Sequence, residues 1–486
     1  MLIMKAMLME NNQRNFRSGS SEDASRQPIS VQQNLRYVFY FFALFLIFYF
    51  GITFFVDNQT HVTHPGVILP EQPTRTGEKM TTPIRSFPDT TDGIHVFNDQ
   101  LATWEMSESQ FEFAATHYDG TQKVFASDAR RLRASNPKFI VLNYRLGMGL
   151  GYRQVTSGCK PEGDWIEIIE GEKWVQEYPE NPSDEWFYSL SGKRVFFCQW
   201  NWYLMDISQP SWQTYWAGEV LRQLYSTGAD GVFVDGMFPP NYYGHNLFSP
   251  ELPKLDQNFE DQWSSKIEHF IKFTQSGDLE KFHLINNVGL WITGRDKTDY
   301  SASDGVMVEG FGRWVEGDYF SSDEGDWQLQ MDRILRLVNR DKVVILQQYV
   351  DPKNESDRVF LLSNYLLIKG KHTFVNMEVS SSPEWFPEYE IPIGSPSDAA
   401  AETISSLWRS DWQVYARTYS NGLVLVNPDE KEKRINLLQK FYSAIPFGGG
   451  PIPEDGNIED WAVDYSEVTS LVLGPHQGAI LLSSIP

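Results

Sequence analysis

From about residue 93 the chain alternates short apolar runs with longer amphipathic stretches. The runs are IHVFND (94–99), FIVLNY (139–144), YLMDIS (203–208), GVFVDG (231–236), HLINNVG (283–289), GVMVEG (305–310), VVILQQY (343–349) and HTFVNM (372–377). Near-continuous apolar runs, rather than strict alternation, mark parallel strands covered on both faces. Between the third and fourth runs Trp212, Trp216, Val220 and Leu224 recur every four residues, which predicts an amphipathic helix. Ser208 is its expected N-cap, Pro210 suits its first turn, and Gly228 suits a left-handed end. Helical patterns also precede the fifth run (SSKIEHFIKFTQ) and the seventh (WQLQMDRILRLVNR). Strands alternating with helices predict an α/β fold, a (β/α)8 TIM barrel over residues 91–410, with a doubly wound open sheet as the alternative. Beyond residue 411, short strands broken by Gly, Pro and Asn predict a small C-terminal antiparallel β domain, 411–486. Residues 145–202 read as an insertion of loops and a hairpin.

The N-terminal part has a different pattern. Residues 37–56 carry no charge, and about 20 apolar residues suffice for a transmembrane helix. Arg26 and Arg36 precede it and no Lys or Arg follows until Arg75, which predicts a cytoplasmic tail (1–36), a signal anchor and an extracellular catalytic domain. Residues 57–90 read as a linker. The formal charge of -23 disfavours nucleic acid as a partner. The chain has two cysteines, Cys159 and Cys198, both in the part expected to be exported; a disulfide and two separate thiols both remain open. No Cys or His spacing of a metal site appears, and no cofactor is expected.

The chemistry lies in what the strands end on. Asn98, Asp99, Asn143, Tyr144, Arg145, Asp206, Asp235, Asn286, Asn287, Glu309, Gln347, Gln348, Tyr349 and Asn376 all close apolar runs. In a barrel these ends converge on the face where active sites are built. Asp235 and Glu309 are the candidate catalytic pair, because glycosidic cleavage uses one carboxyl to protonate the leaving oxygen and another to attack the sugar or activate water. Asp206, Asn287, Tyr144, Arg145 and Gln348 are candidate hydrogen-bonding residues for sugar hydroxyls. Trp202 and Tyr242, next to the acid-bearing runs, are candidate stacking platforms. No G-x-S-x-G elbow, P-loop or H-E-x-x-H is present. A non-catalytic carbohydrate-binding or surface scaffold on the same barrel is the competing reading.

The stretch LMDISQPSWQTYWAGEVLRQLYSTGADGVFVDG resembles the core of hypothetical glycosyl hydrolase family 15 and, more distantly, the family 114 endo-alpha-1,4-polygalactosaminidases. Those families are similar to this chain in a strand-three Asp (here Asp206), a strand four ending in Asp (Asp235), a strand-five Asn (Asn287) and a strand-six Glu (Glu309). The resemblance, over roughly residues 93–380, implies a (β/α)8 glycosidase with Asp235 as nucleophile and Glu309 as acid/base. It implies a polysaccharide or oligosaccharide substrate.

Overall fold

The computed structural model describes residues 83–486 apart from 102, 152, 157–158, 166–181, 316, 321, 324 and 379–381. The expected tail, transmembrane helix and most of the linker lie outside the described residues. Among the described residues no helix is long and apolar enough to cross a membrane.

Eight parallel strands form one sheet in chain order: β1 (Phe97–Asn98), β2 (Gly120–Gln122), β3 (Ile140–Leu146), β4 (Gly231–Asp235), β5 (His283–Asn287), β6 (Gly305–Glu309), β7 (Val343–Gln347) and β8 (Thr373–Asn376). A parallel bridge between Val96 and Val375 joins the first edge to the last, so the sheet curls into a barrel rather than lying open. Six α-helices are found among the described residues: α1 (Glu108–His117), α2 (Ala126–Ser135), α3 (Pro210–Thr227), α4 (Gln257–Thr274), α5 (Asp326–Val338) and α6 (Glu355–Ile368). Between β5 and β6 the crossover holds only a 3-10 turn, Tyr300–Ala302.

The run at 203–208 is not a barrel strand. Trp202–Leu204 pairs antiparallel with Gly149–Leu150 and Phe196–Phe197 in a four-stranded sheet outside the barrel. Its apolar residues serve that sheet, where Tyr203 packs edge-on against Phe187 and Phe196. The barrel's second strand is instead Gly120–Gln122, too short and too polar to stand out in the sequence. The insertion therefore separates β3 from α3, and β3 is the strand that pairs with β4. Helix α3 starts one residue later than expected: Gln209 is the N-cap, Pro210 is the first helical residue, and Gly228 ends it at φ 69°. Ser208 instead donates its hydroxyl to Asp206 Oδ1 at 2.6 Å.

Inside the barrel the period of two sorts residues into layers. Phe97, Leu142, Phe233, Ile285, Met307, Ile345 and Phe374 make the apolar core. One step toward the C-terminal ends stand Asp99, Gln122, Tyr144, Asp235, Asn287, Glu309, Gln347 and Asn376, a polar layer. The opposite end is plugged by Phe87, whose ring lies 5.8 Å from Phe97 and 5.6 Å from Phe374. Arg85 beside it reaches the buried Asp230 at 3.2 Å. Residues 83–90 are thus part of the barrel's packing, where a linker was expected, because Phe87 has an apolar socket to fill.

The C-terminal strands form a six-stranded antiparallel sheet. Its Tyr419 hydroxyl and Arg417 guanidinium donate to carbonyls at the end of α6, those of Leu366, Leu367 and Lys369. These bonds satisfy groups that a helix C-terminus leaves open.

Candidate active site

Strands β3 to β6 each deliver one side chain to the same point. The Tyr144 hydroxyl donates to Asp235 Oδ2 at 2.6 Å. The Asn287 amide nitrogen donates to Asp235 Oδ1 at 2.8 Å and to Glu309 Oε2 at 2.9 Å. The Gly289 N–H donates to the amide oxygen of Asn287 at 2.9 Å, which fixes the amide the right way round. A flipped amide would set its oxygen against both carboxylates and its nitrogen against an N–H. Because one nitrogen reaches both acids, those two carboxylate oxygens lie no farther apart than its two bonds together, under about 6 Å. Retaining pairs stand ≈ 5–5.5 Å apart and inverting pairs ≈ 6.5–9.5 Å.

Both acids are half-buried at the C-terminal ends of their strands. The backbone then leaves β4 at once: Gly236 adopts φ 70°, and a Cβ there would come 2.7 Å from the Tyr243 hydroxyl. The space beside Gly236 is thus filled by Tyr243. The loops after β4 and β5 are held by Glu260 of α4, which is fully buried. It accepts from Arg295 Nε at 2.8 Å and Nη2 at 3.0 Å, from Asn241 at 2.9 Å, and from the Tyr242 hydroxyl at 3.0 Å.

The remaining expected residues are placed elsewhere. Tyr242 serves the Glu260 network; burial, then the Glu260 charge, pushes its phenol well up. Trp202 is buried against Phe197, Phe248 and Tyr243 inside the insertion sheet, so it is packing rather than a platform. Arg145 follows the inward Tyr144 and so points out of the barrel, buried beneath α3 near Tyr215 and Glu219. Gln348 uses its amide on backbone, donating to the carbonyls of Phe311 and Arg313 and accepting from the Tyr349 N–H. Asp206 pairs with Lys266 of α4 at 2.6 Å; burial raises its pKa, but the bonds from Lys266 and Ser208 outweigh this and hold it low. Cys159 and Cys198 are bonded to each other, with Cα atoms 5.2 Å apart.

The site also holds Lys123, which the pattern did not single out, and Asp99 and Tyr349, which it placed at strand ends without a role. Lys123, just past the unrecognised β2, pairs with Asp99 at 3.1 Å. Tyr349, past β7, is half-buried; desolvation of its phenol, followed by the charges of Asp99, Glu309 and Asp235, pushes that phenol well up. Asp99 and Tyr349 end apolar runs, and that was the signal available for them. Among the described residues no group of His, Cys, Asp or Glu is arranged to hold a metal ion.

An eight-stranded parallel barrel with two carboxylates sharing one amide donor at its C-terminal mouth defines a carbohydrate-cleaving class of site. The chain belongs to hypothetical glycosyl hydrolase family 15, which matches residues 133–423, and it is a glycoside hydrolase. No curated protein matches the chain. Among solved structures, the glycoside hydrolase domain of PelA from Pseudomonas aeruginosa is 14% identical, with a TM-score of 0.36 over 59% of this chain and 96% of that one. The maltogenic alpha-amylase AmyB from Thermotoga neapolitana is 10% identical, with a TM-score of 0.37 over 81% and 99% of the two chains. Pullulanase type I from Bacillus subtilis is 9% identical, with a TM-score of 0.40 over 86% and 72%. Likenesses of this strength carry no argument, and the barrel assignment rests on its own strand order.

Proposed function

We propose that the protein is a membrane-anchored retaining glycoside hydrolase acting on an extracellular or cell-surface polysaccharide. The observation that carries the mechanism is the shared donor: Asn287 bonds both Asp235 and Glu309, which leaves too little room between them for the water that inversion needs. Asp235 is the nucleophile. Its carboxylate accepts from Tyr144 and Asn287, and the two bonds fix its orientation. It attacks the anomeric carbon while Glu309 gives its proton to the leaving glycosidic oxygen, which departs as an alcohol. Glu309, now a carboxylate, takes a proton from water; that water's oxygen attacks the anomeric carbon, and Asp235 is released.

The apolar segment 37–56 and its preceding arginines support anchoring, and the Cys159 to Cys198 bond fits an oxidising compartment. The test is to screen the purified domain against surface polysaccharides and follow the anomeric configuration of the first product by proton NMR. Retention is expected, and inversion would overturn the assignment. Asp235→Gly should be inactive and regain turnover with azide, giving a glycosyl azide of inverted configuration. Resistance of the full chain to carbonate extraction from membranes, with the domain open to external protease, would support the anchor.

A further inference from the structure

Outside the catalytic pair, the barrel mouth holds one close cation and anion on strands that the family match does not reach, since it begins at residue 133. Asp99 directly follows β1 and Lys123 directly follows β2. The Lys123 ammonium lies 3.1 Å from Asp99 Oδ1, and the Gln122 amide donates to the same oxygen. Two links tie this pair to the reacting carboxylates. The ammonium sits 5.3 Å over the ring of Tyr144, whose hydroxyl holds Asp235. The Tyr349 phenol feels the charges of Asp99, Glu309 and Asp235. Lys123 also has φ 62°, a left-handed conformation that an L side chain adopts only when its surroundings impose it.

Resting on the glycosidase reading above, we infer that Asp99 and Lys123 clamp the sugar ring seated on Asp235 by binding an unsubstituted vicinal diol of a neutral sugar. A carboxylate accepts and an ammonium donates, so the pair fits two adjacent hydroxyls that exchange one bond with each partner. The clamp itself is charge-balanced, whereas Asp235 makes the rest of the mouth anionic. A uronate would draw Lys123 from Asp99 and leave an unpaired carboxylate in the same mouth as Asp235, which is strongly unfavourable. A neutral diol leaves the ion pair in place. Both side chains are nearly buried, and a hydroxyl that carries an acyl or alkyl group has no proton to give the Asp99 carboxylate.

The test uses 2,4-dinitrophenyl hexopyranosides, whose leaving group needs neither a proton nor a further subsite. With the accepted hexoside, its monodeoxy derivatives and the matching uronide, wild type should lose at least about 100-fold in kcat/KM for removal of either hydroxyl of one adjacent pair. The uronide should not turn over. In Asp99→Asn and Lys123→Met that discrimination should shrink to within about 10-fold, while burst kinetics still report glycosylation of Asp235. Variants that discriminate like wild type would overturn the clamp. If they do not fold, judged by thermal melting, the wild-type series decides alone: hydrolysis of the uronide, or indifference to every adjacent hydroxyl pair, overturns it. Loss of azide rescue in Asp235→Gly would instead overturn the glycosidase reading beneath it.

Discussion

Tyr144 Oη stands 2.6 Å from Asp235 Oδ2, a bond between the inward side chains of two neighbouring parallel strands. With the Asn287 amide it is one of two side-chain donors that hold that carboxylate in place. Removing it with Tyr144→Phe should lower kcat/KM, because a charge-assisted bond worth about 1.5–3 kcal/mol is shared with a second donor that remains. Activity near neutrality should fall about 10-fold. Steady-state kinetics measures this, and an unchanged kcat/KM would remove Tyr144 from the mechanism.

Asn287 holds both acids, so its loss should cost more than that of Tyr144. Asn287→Ala is expected to lower kcat by about 100-fold or more with a smaller change in KM, since the amide positions the reacting groups rather than the substrate alone. Asn287→Asp should be worse, because a third carboxylate then repels the pair. Single-turnover kinetics separates this from weakened binding, and equal activity in the two variants would contradict the electrostatic part of the argument.

Gly236→Ala should destabilise the fold for two separable reasons. The left-handed backbone costs an L residue about 1–2 kcal/mol, and the new Cβ would meet the Tyr243 hydroxyl at 2.7 Å. Pairing it with Tyr243→Phe should relieve the second cost and leave the first. Denaturant melts of both variants decide this: no recovery in the double variant would mean that the contact with Tyr243 is unimportant.

The buried Glu260 gathers the loops after β4 and β5 through Arg295, Asn241 and Tyr242. Arg295→Met removes its cation and leaves an uncompensated buried carboxylate, a change worth about 3–5 kcal/mol. A companion Glu260→Gln should recover much of that loss because no charge is then stranded. Urea unfolding of the single and double variants tests the coupling, and purely additive effects would contradict it.

Lys369 is fully buried at the end of α6, with its ammonium donating to the carbonyls of Thr91 and Gly93. Burial lowers its pKa from 10.5 to about 7. Between those values the unfolded chain holds a proton that the folded one has released, so this group makes stability rise with pH through that window. Below about pH 7 its cost is fully present. Lys369→Met should remove this slope, so the stability difference between wild type and variant should shift in favour of wild type from pH 7 to pH 10. A pH-independent difference would show that the two carbonyls keep the ammonium charged.

Much of the candidate pair, Asp235 and Glu309, was legible in the chain because β4, β5 and β6 are five-residue runs that are apolar before their ends and close on polar residues. The same rule misplaced Asp206 and Trp202. The run YLM is apolar because it packs within the insertion's own sheet, and an apolar period does not say which sheet it serves. It also missed β2, since Gly120–Gln122 carries no apolar run and is a strand only because β1 and β3 flank it.

The sequence by itself determined which residues avoid water and where each strand stops, because burial follows a local period of two or 3.6 residues. Closure of the barrel decided the rest. Asn287 meets Asp235 and Glu309, and Lys123 meets Asp99 and Tyr144, only after distant strands align in register, and the geometry of those meetings depends on ring closure that no local pattern encodes. The chemistry of this protein is therefore spelled in single residues but assembled by the register between strands.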